Sequence, residues 1–127
     1  PTIRPQLTSL VRMLRAVPHV EDIALSTNGV RLPSLAVPLR DAGLDRLNMS
    51  ADSLRQERIV SIARRDLGFD PIASLRAAEA AGLGPIKVNV VVMRGVNDAK
   101  FEHFARLSLD HPWPVRFSEL RPSGALR

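Results

Sequence analysis

Hydrophobic and polar residues alternate along this chain with a period typical first of a helix and then of a strand. The first stretch repeats an apolar residue at helical spacing: Leu7, Leu10, Val11, Leu14 and Val17. This pattern predicts a helix that begins near Pro5, buries the apolar stripe and ends at Pro18. The same reasoning predicts further helices at about 34–42, 54–64, 70–81 and 99–109, and strands at 22–26, 46–52, 86–93 and 115–119. Strands separated by helices are typical of a parallel α/β sheet with right-handed crossovers.

Glycine, proline and capping residues mark several ends of these elements. Asp70 followed by Pro71 is a strong start signal for a helix, because the first caps the helix and the second fits its first turn. Gly29 closes a turn after the first strand. Pro38 fits the second helix only if it falls in the first turn, where little hydrogen bonding is lost.

Each predicted strand has one apolar and one polar face. The polar faces carry Ser26 and Asn28 (with Ala24 on the same side), then Asn48, Ser50 and Asp52, then Lys87 and Asn89, and last Arg116 and Ser118. A parallel sheet covered by helices on both faces is almost continuously apolar, so we expect helices to cover only one face. The pattern predicts a barrel-like sheet with a hydrophilic, ligand-filled interior. The alternative is that these residues lie at strand ends and meet water.

Lys87 is the most informative of these residues, because a charged side chain is unusual as the second residue of a strand of valines. A lysine there needs an anion nearby. The carboxylate of Asp52 would be a structural partner, and the phosphate of a ligand would be a functional one.

Composition narrows the function classes. The 127 residues give room for one domain, and the absence of cysteine excludes disulfides and thiolate-held metal within the chain.

The net charge of +5 is spread along the chain with few aromatic residues, which disfavours a nucleic-acid module. No apolar run approaches the roughly 20 residues that span a membrane. His103 is expected on the surface, and no histidine has metal-ligand spacing. A chain that starts with Pro1 is expected to be a piece of a longer protein.

Four short segments resemble the GTP 3′,8-cyclase family of radical S-adenosylmethionine (SAM) enzymes, which begins molybdenum cofactor (molybdopterin) synthesis. Residues 25–29 resemble its L-T-T-N-G turn, 47–54 its V-N-V-S-L-D-S-L segment, 87–98 its K-V-N-V-V-V-M-K-G-x-N-D segment, and 115–120 its V-R-F-I-E-Y segment. Pro1 is similar to the end of its G-G-E-P motif. The resemblance covers essentially the whole chain, and the segment 87–98 is the most specific part.

The resemblance implies a partial (β/α) barrel, of which residues 1–127 form a single incomplete domain with the third to sixth strands and outer helices. It implies that SAM-derived radical chemistry converts GTP to 3′,8-cyclo-7,8-dihydro-GTP. Two [4Fe–4S] clusters would be held by cysteines upstream and downstream, so we expect this chain alone to be inactive. The resemblance also implies a cytoplasmic enzyme, a homodimeric parent, and no nucleic-acid or membrane partner.

Position by position, the resemblance implies that Ser26, Lys87 and Arg116 contact GTP. It implies that Ser50 and Arg121 contact SAM, with Arg121 standing where the family usually has methionine. No residue of the chain is expected to be catalytic or to bind metal. The alternatives are another radical SAM enzyme, acting on a peptide or a tetrapyrrole, and a non-catalytic α/β domain of flavodoxin type that binds a phosphate ligand.

Overall fold

A computed structural model describes residues 2–51, 70–95, 97 and 101–119. The described helices are α1 (Leu7–Arg15), α2 (Leu32–Asp41), α3 (Pro71–Ala80) and α4 (Phe101–Asp110). The strands are β1 (Ala24–Thr27), β2 (Arg46–Ser50), β3 (Ile86–Val92) and β4 (Val115–Glu119). The predicted helix at 54–64 and the predictions for Pro1, Asp52 and Arg121 lie outside the described residues.

The four strands form one parallel sheet in the order β1-β2-β3-β4. Neighbours in the chain are therefore neighbours in the sheet, with helices in the connections. This arrangement confirms the prediction of an α/β fold with four parallel strands, and it is consistent with part of a (β/α) barrel.

The core lies on one side of the sheet, where every second strand residue packs under the helices. On β2, Leu47 and Met49 are buried and the residues between and beside them are not. On β3, Ile86, Val88 and Val90 are buried and alternate with half-buried residues in the same way. Helix α2 packs on α3, and α4 packs on β4, where Phe101 and Phe104 both meet Phe117 edge to face. The largest fully buried apolar side chains are Leu32, Leu39, Leu44, Leu47, Met49, Leu75, Val88, Val90, Phe104 and Trp113.

The start of α3 is as predicted. The Asp70 carboxylate accepts a hydrogen bond from the Ile72 N–H at 2.8 Å, and Pro71 is the first helical residue. Both features satisfy or remove backbone donors that a helix start leaves without partners.

The expectation that the second helix accommodates Pro38 only in its first turn is wrong. Helix α2 begins at Leu32, and Pro38 lies in its interior. The helix tolerates it because Pro38 is exposed, while Leu32, Ala36 and Leu39 on the opposite face are buried. Packing of this apolar face outweighs the hydrogen bond that proline cannot donate.

The buried stripe predicted for α1 is too long. Leu7 and Val11 are buried and Leu10 is half-buried, but Leu14 and Val17 are 41% and 48% exposed. Within the described part, α1 packs mainly against α2, and the residues of its first two turns are the ones that become buried.

Candidate functional site

Six polar residues form two rows across one face of the sheet. In the first row Asn48 is in register with Ser26 on one side and Lys87 on the other. In the second row Asn89 is in register with Ser50 and Arg116. Residues in register on parallel strands share a face, and adjacent strands lie about 4.8 Å apart. We call Ser26, Asn48, Lys87, Ser50, Asn89 and Arg116 the polar face.

The strand alternation sets the direction of these side chains. On β2 and β3 each polar-face residue is flanked along the strand by buried residues, such as Leu47 and Met49 around Asn48. The three on the middle of the sheet, Asn48, Lys87 and Asn89, are half-buried, and the other three are exposed. Among the described residues, no second helical layer therefore covers this face.

The polar face carries two cations, Lys87 and Arg116. Within residues 2–51, 70–95, 97 and 101–119, neither Lys87 nor Arg116 makes an ion pair. They lie on a diagonal of adjacent strands, which corresponds to about 8 Å between their Cα atoms. Two cations at this spacing, Lys87 half-buried and Arg116 exposed, fit an anion with several charged oxygens.

A third cation on the same side of the sheet behaves differently. Arg46 lies at the amino end of β2, where its Nε donates to Asp22 at 2.8 Å and its second guanidinium nitrogen pairs with the same carboxylate. The hydrogen bond from Arg46 to Asp22 raises the pKa of that guanidinium. This pair neutralises the amino end of the face and leaves the positive charge at Lys87 and Arg116.

Asn89 has an unsatisfied atom. Its Oδ1 is shielded from solvent and accepts no hydrogen bond from any described residue. Its backbone carbonyl, in contrast, accepts from the Ala51 N–H at 2.9 Å. A buried acceptor without a donor is costly, and such groups are uncommon in folded proteins.

A charged cluster at the amino end of β2 is structural. The Asp45 carboxylate accepts from the Ile23 N–H at 2.8 Å and pairs with Arg15, which also donates to the Gly43 carbonyl at 2.7 Å. The Ile23 hydrogen bond is the main cause that lowers the pKa of Asp45, and Arg15 and Arg40 lower it further against partial burial. This cluster joins the end of α1 to the sheet.

Two cavities lie away from the polar face. Their volumes are about 510 and 340 Å³, and they share Pro112 and Trp113 before β4. Neither is lined by a residue of the polar face, and their walls are mainly apolar. Trp113 stacks on His111 with ring centroids 4.0 Å apart, so this region is suited to packing.

The structure brings four of the predicted site residues together. Ser26, Lys87, Ser50 and Arg116 all lie on the polar face, whereas Arg121 lies outside the described residues. His103 is exposed, as expected. In the part that the structure describes, no group of histidine and carboxylate side chains is arranged to bind a metal ion, and no helix is long and apolar enough to cross a membrane.

The two central residues of the rows had no predicted role. Asn48 and Asn89 were recognised as polar strand positions, but only the strand register puts each between two candidate ligand contacts. The sequence does contain a signal for their position. Asn48 lies two residues before Ser50 and Asn89 lies two residues after Lys87, so each shares a strand face with a predicted ligand contact.

The fold and this face define an open parallel α/β protein whose sheet carries two cations, two hydroxyls and two amides on one face. The chain belongs to the Radical SAM superfamily, whose family model matches residues 1–108. It is 46% identical over 124 residues to the GTP 3′,8-cyclase of Moorella thermoacetica and 43% identical to that of Petrotoga mobilis, each over 98% of this chain. The enzyme of the same name from Geobacter sulfurreducens is 42% identical over 97% of the chain. The chain spans about 38% of the length of these relatives.

Proposed function

We propose that this chain is the nucleotide-binding wall of a GTP 3′,8-cyclase, in which the polar face holds GTP and SAM side by side. The observation that carries the proposal is the pair of cations, Lys87 and Arg116, which form no ion pair with any described residue and lie on the same face as the hydroxyl of Ser50. The similarity to enzymes named GTP 3′,8-cyclase supports the choice of ligands.

The GTP half of the proposal uses three residues. Lys87 supplies a compact point charge and Arg116 a planar donor fork, which together suit neighbouring phosphates of a triphosphate. Ser26 supplies a hydroxyl in the same row as Lys87, two strands away. These groups would orient the substrate and balance its charge.

The SAM half uses Ser50 and Arg121. The Ser50 hydroxyl is exposed at the carboxyl end of β2, where it is able to bind the amino-acid or ribose part of SAM. Arg121 follows β4 in the chain, and we extend the proposal to it from the resemblance alone.

The cofactors supply the radical chemistry, and this chain supplies orientation. SAM bound with a reduced [4Fe–4S] cluster provides the radical that starts cyclisation in such enzymes. The hydroxyl, amide and cationic groups of the polar face fit the polar parts of SAM. The chain contains no cysteine, so it offers no thiolate to either of two clusters, and their ligands belong to other segments of the complete protein.

The test uses the complete gene product, reconstituted with iron and sulfide under anaerobic conditions. We expect it to consume GTP and SAM together and to hold two [4Fe–4S] clusters. SAM cleavage that does not depend on GTP would favour another radical SAM enzyme. GTP binding without any SAM cleavage would favour a non-catalytic phosphate-binding domain.

Three further parts of the proposal rest on the resemblance. Residues 1–127 would be one incomplete barrel domain, the complete protein would be a homodimer, and it would act in the cytoplasm. Sedimentation of the complete protein tests the dimer, since a monomeric mass that does not change with concentration contradicts it.

A further inference from the structure

The centre of the second polar row holds an amide with no assigned role. Asn89 is in register with Ser50 on β2 and with Arg116 on β4, so each neighbour is about 4.8 Å away at the Cα atoms. Under the proposed function, on which this inference rests, these neighbours serve SAM and the phosphates of GTP. Asn89 therefore lies at the boundary between the two ligands.

The unsatisfied atom of Asn89 determines which ligand group it is able to bind. Its Oδ1 is a hydrogen-bond acceptor without a partner among the described residues. Phosphate oxygens also only accept, so a phosphate is unable to satisfy it. A donor must approach instead, and the terminal torsion of asparagine is broad enough to turn Oδ1 from its shielded position toward the open side of the sheet.

We propose that Asn89 binds a ribose hydroxyl of a nucleotide ligand on the polar face, accepting its proton at Oδ1. Ribose is common to GTP and SAM, and in GTP it is the unit joined to the phosphates, close to Arg116. The hydroxyl supplies the donor that Oδ1 lacks among the described residues.

The experiment measures dissociation constants for the complete gene product and its Asn89→Ala variant. The probes are GTP and S-adenosylhomocysteine, which is unreactive, together with the 2′-deoxy and 3′-deoxy forms of each. Loss of one neutral hydrogen bond should weaken the affected ribose ligand about tenfold. The ratio of ribose to deoxyribose affinity should fall toward one in the variant, for GTP, for S-adenosylhomocysteine or for both, and the affected ligand identifies the ribose.

Two further variants guard against loss of folding. Asn89→Asp keeps an acceptor oxygen at the same position and should retain the ribose-to-deoxyribose ratio, because its added charge acts equally on both forms. Val91→Ala changes the bulk of the same strand two residues on, and should leave the ratio as in the wild type.

The outcomes separate the inference from the proposed function. A wild-type protein that binds neither GTP nor S-adenosylhomocysteine contradicts both. A wild-type protein that binds both ligands, with a ribose-to-deoxyribose ratio that Asn89→Ala does not change, overturns this inference alone.

Discussion

Lys87 and Ser50 lie on the same face of the sheet. Ser50 is in register with Asn89, which follows Lys87 by two residues on β3, so the ammonium and the hydroxyl emerge on one side. Two different ligand groups are therefore within reach of one surface. Under the proposed function, this face would bind a charged tail at one strand and a hydroxyl-bearing group at the next.

Removal of the Lys87 charge should weaken GTP much more than SAM. We expect Lys87→Ala to raise the dissociation constant of GTP about 10- to 100-fold, which corresponds to loss of one charge-assisted hydrogen bond. The dissociation constant of SAM should change less than about threefold, because the proposal gives Lys87 no contact with SAM. Equilibrium binding to the complete protein measures both, and equal loss of both ligands would mean that Lys87 is structural.

Arg46→Ala is the matched control for Lys87. Arg46 lies on the same side of the sheet and carries the same charge, but Asp22 already neutralises it. Exposed ion pairs contribute little to stability, so we expect the variant to fold. Arg46→Ala lowers the net charge by one, as Lys87→Ala does, but at the exposed amino end of the face, where salt screens the change. GTP affinity should therefore stay within about twofold of the wild-type value.

Strand faces were predictable from the sequence because the side-chain period of a strand is two. The alternation around Asn48 and Asn89 indicated a polar face before any register was known. The rows were not predictable, because register depends on how neighbouring strands slide along each other. The role of Asn89 in particular needed both its register and the environment of its Oδ1.

Helix boundaries were predictable where local chemistry decides them. Asp70 begins α3 through its own side chain, whereas Pro38 and Leu14 depend on contacts made elsewhere in the fold. The apolar spacing around Leu14 satisfies the helical pattern, but in the described residues no partner covers its side chain fully. Pattern alone does not reveal how far a neighbouring helix reaches.

A side chain at Gly29 should destabilise the protein because its Cβ would come too close to Met49. Gly95, which has a similar φ but no such neighbour, is the matched control. Gly29 has φ +85°, and a Cβ there would lie 2.9 Å from Sδ of the buried Met49. Gly95 has φ +74°, but an added Cβ meets nothing within 4 Å. Both alanine variants should lose about 1–2 kcal/mol from the left-handed backbone. Gly29→Ala should lose about 1 kcal/mol more from overpacking.

Denaturant unfolding of the complete protein measures the difference between these two variants. A larger loss for Gly95→Ala than for Gly29→Ala would contradict the contact with Met49. Met49→Ala provides the cross-check: when Gly29→Ala is added to Met49→Ala, the further loss relative to Met49→Ala alone should be only the backbone contribution.

The N-cap residue of α3, Asp70, should be replaceable without loss of stability only by another residue that caps helices well. Asp70→Ala removes the acceptor for the Ile72 N–H, so we expect a loss of about 1 kcal/mol in the free energy of unfolding. Asp70→Ser should restore most of the stability, because serine is also a good cap. Thermal unfolding checks both variants, and an alanine variant as stable as the serine variant would exclude a capping role.

The cluster at Asp45 should make stability depend on acid pH. The Ile23 N–H, with Arg15 and Arg40, holds the pKa of Asp45 below its usual range, so the carboxylate stabilises the folded state. This contribution is complete above the ordinary aspartate pKa of about 4 and is lost as pH falls below it, through the lower folded-state value. Near pH 7 Asp45→Asn should cost about 1–2 kcal/mol, since a charged acceptor is lost.

The difference between wild type and Asp45→Asn should therefore shrink between about pH 5 and pH 2. Arg15→Met should retain part of this pH dependence, because the Ile23 hydrogen bond, the largest cause of the lowered pKa, does not involve Arg15. Urea unfolding of the complete protein across this range measures the free energy directly. A difference between wild type and Asp45→Asn that stays constant across the range would show that Asp45 does not titrate with a lowered pKa.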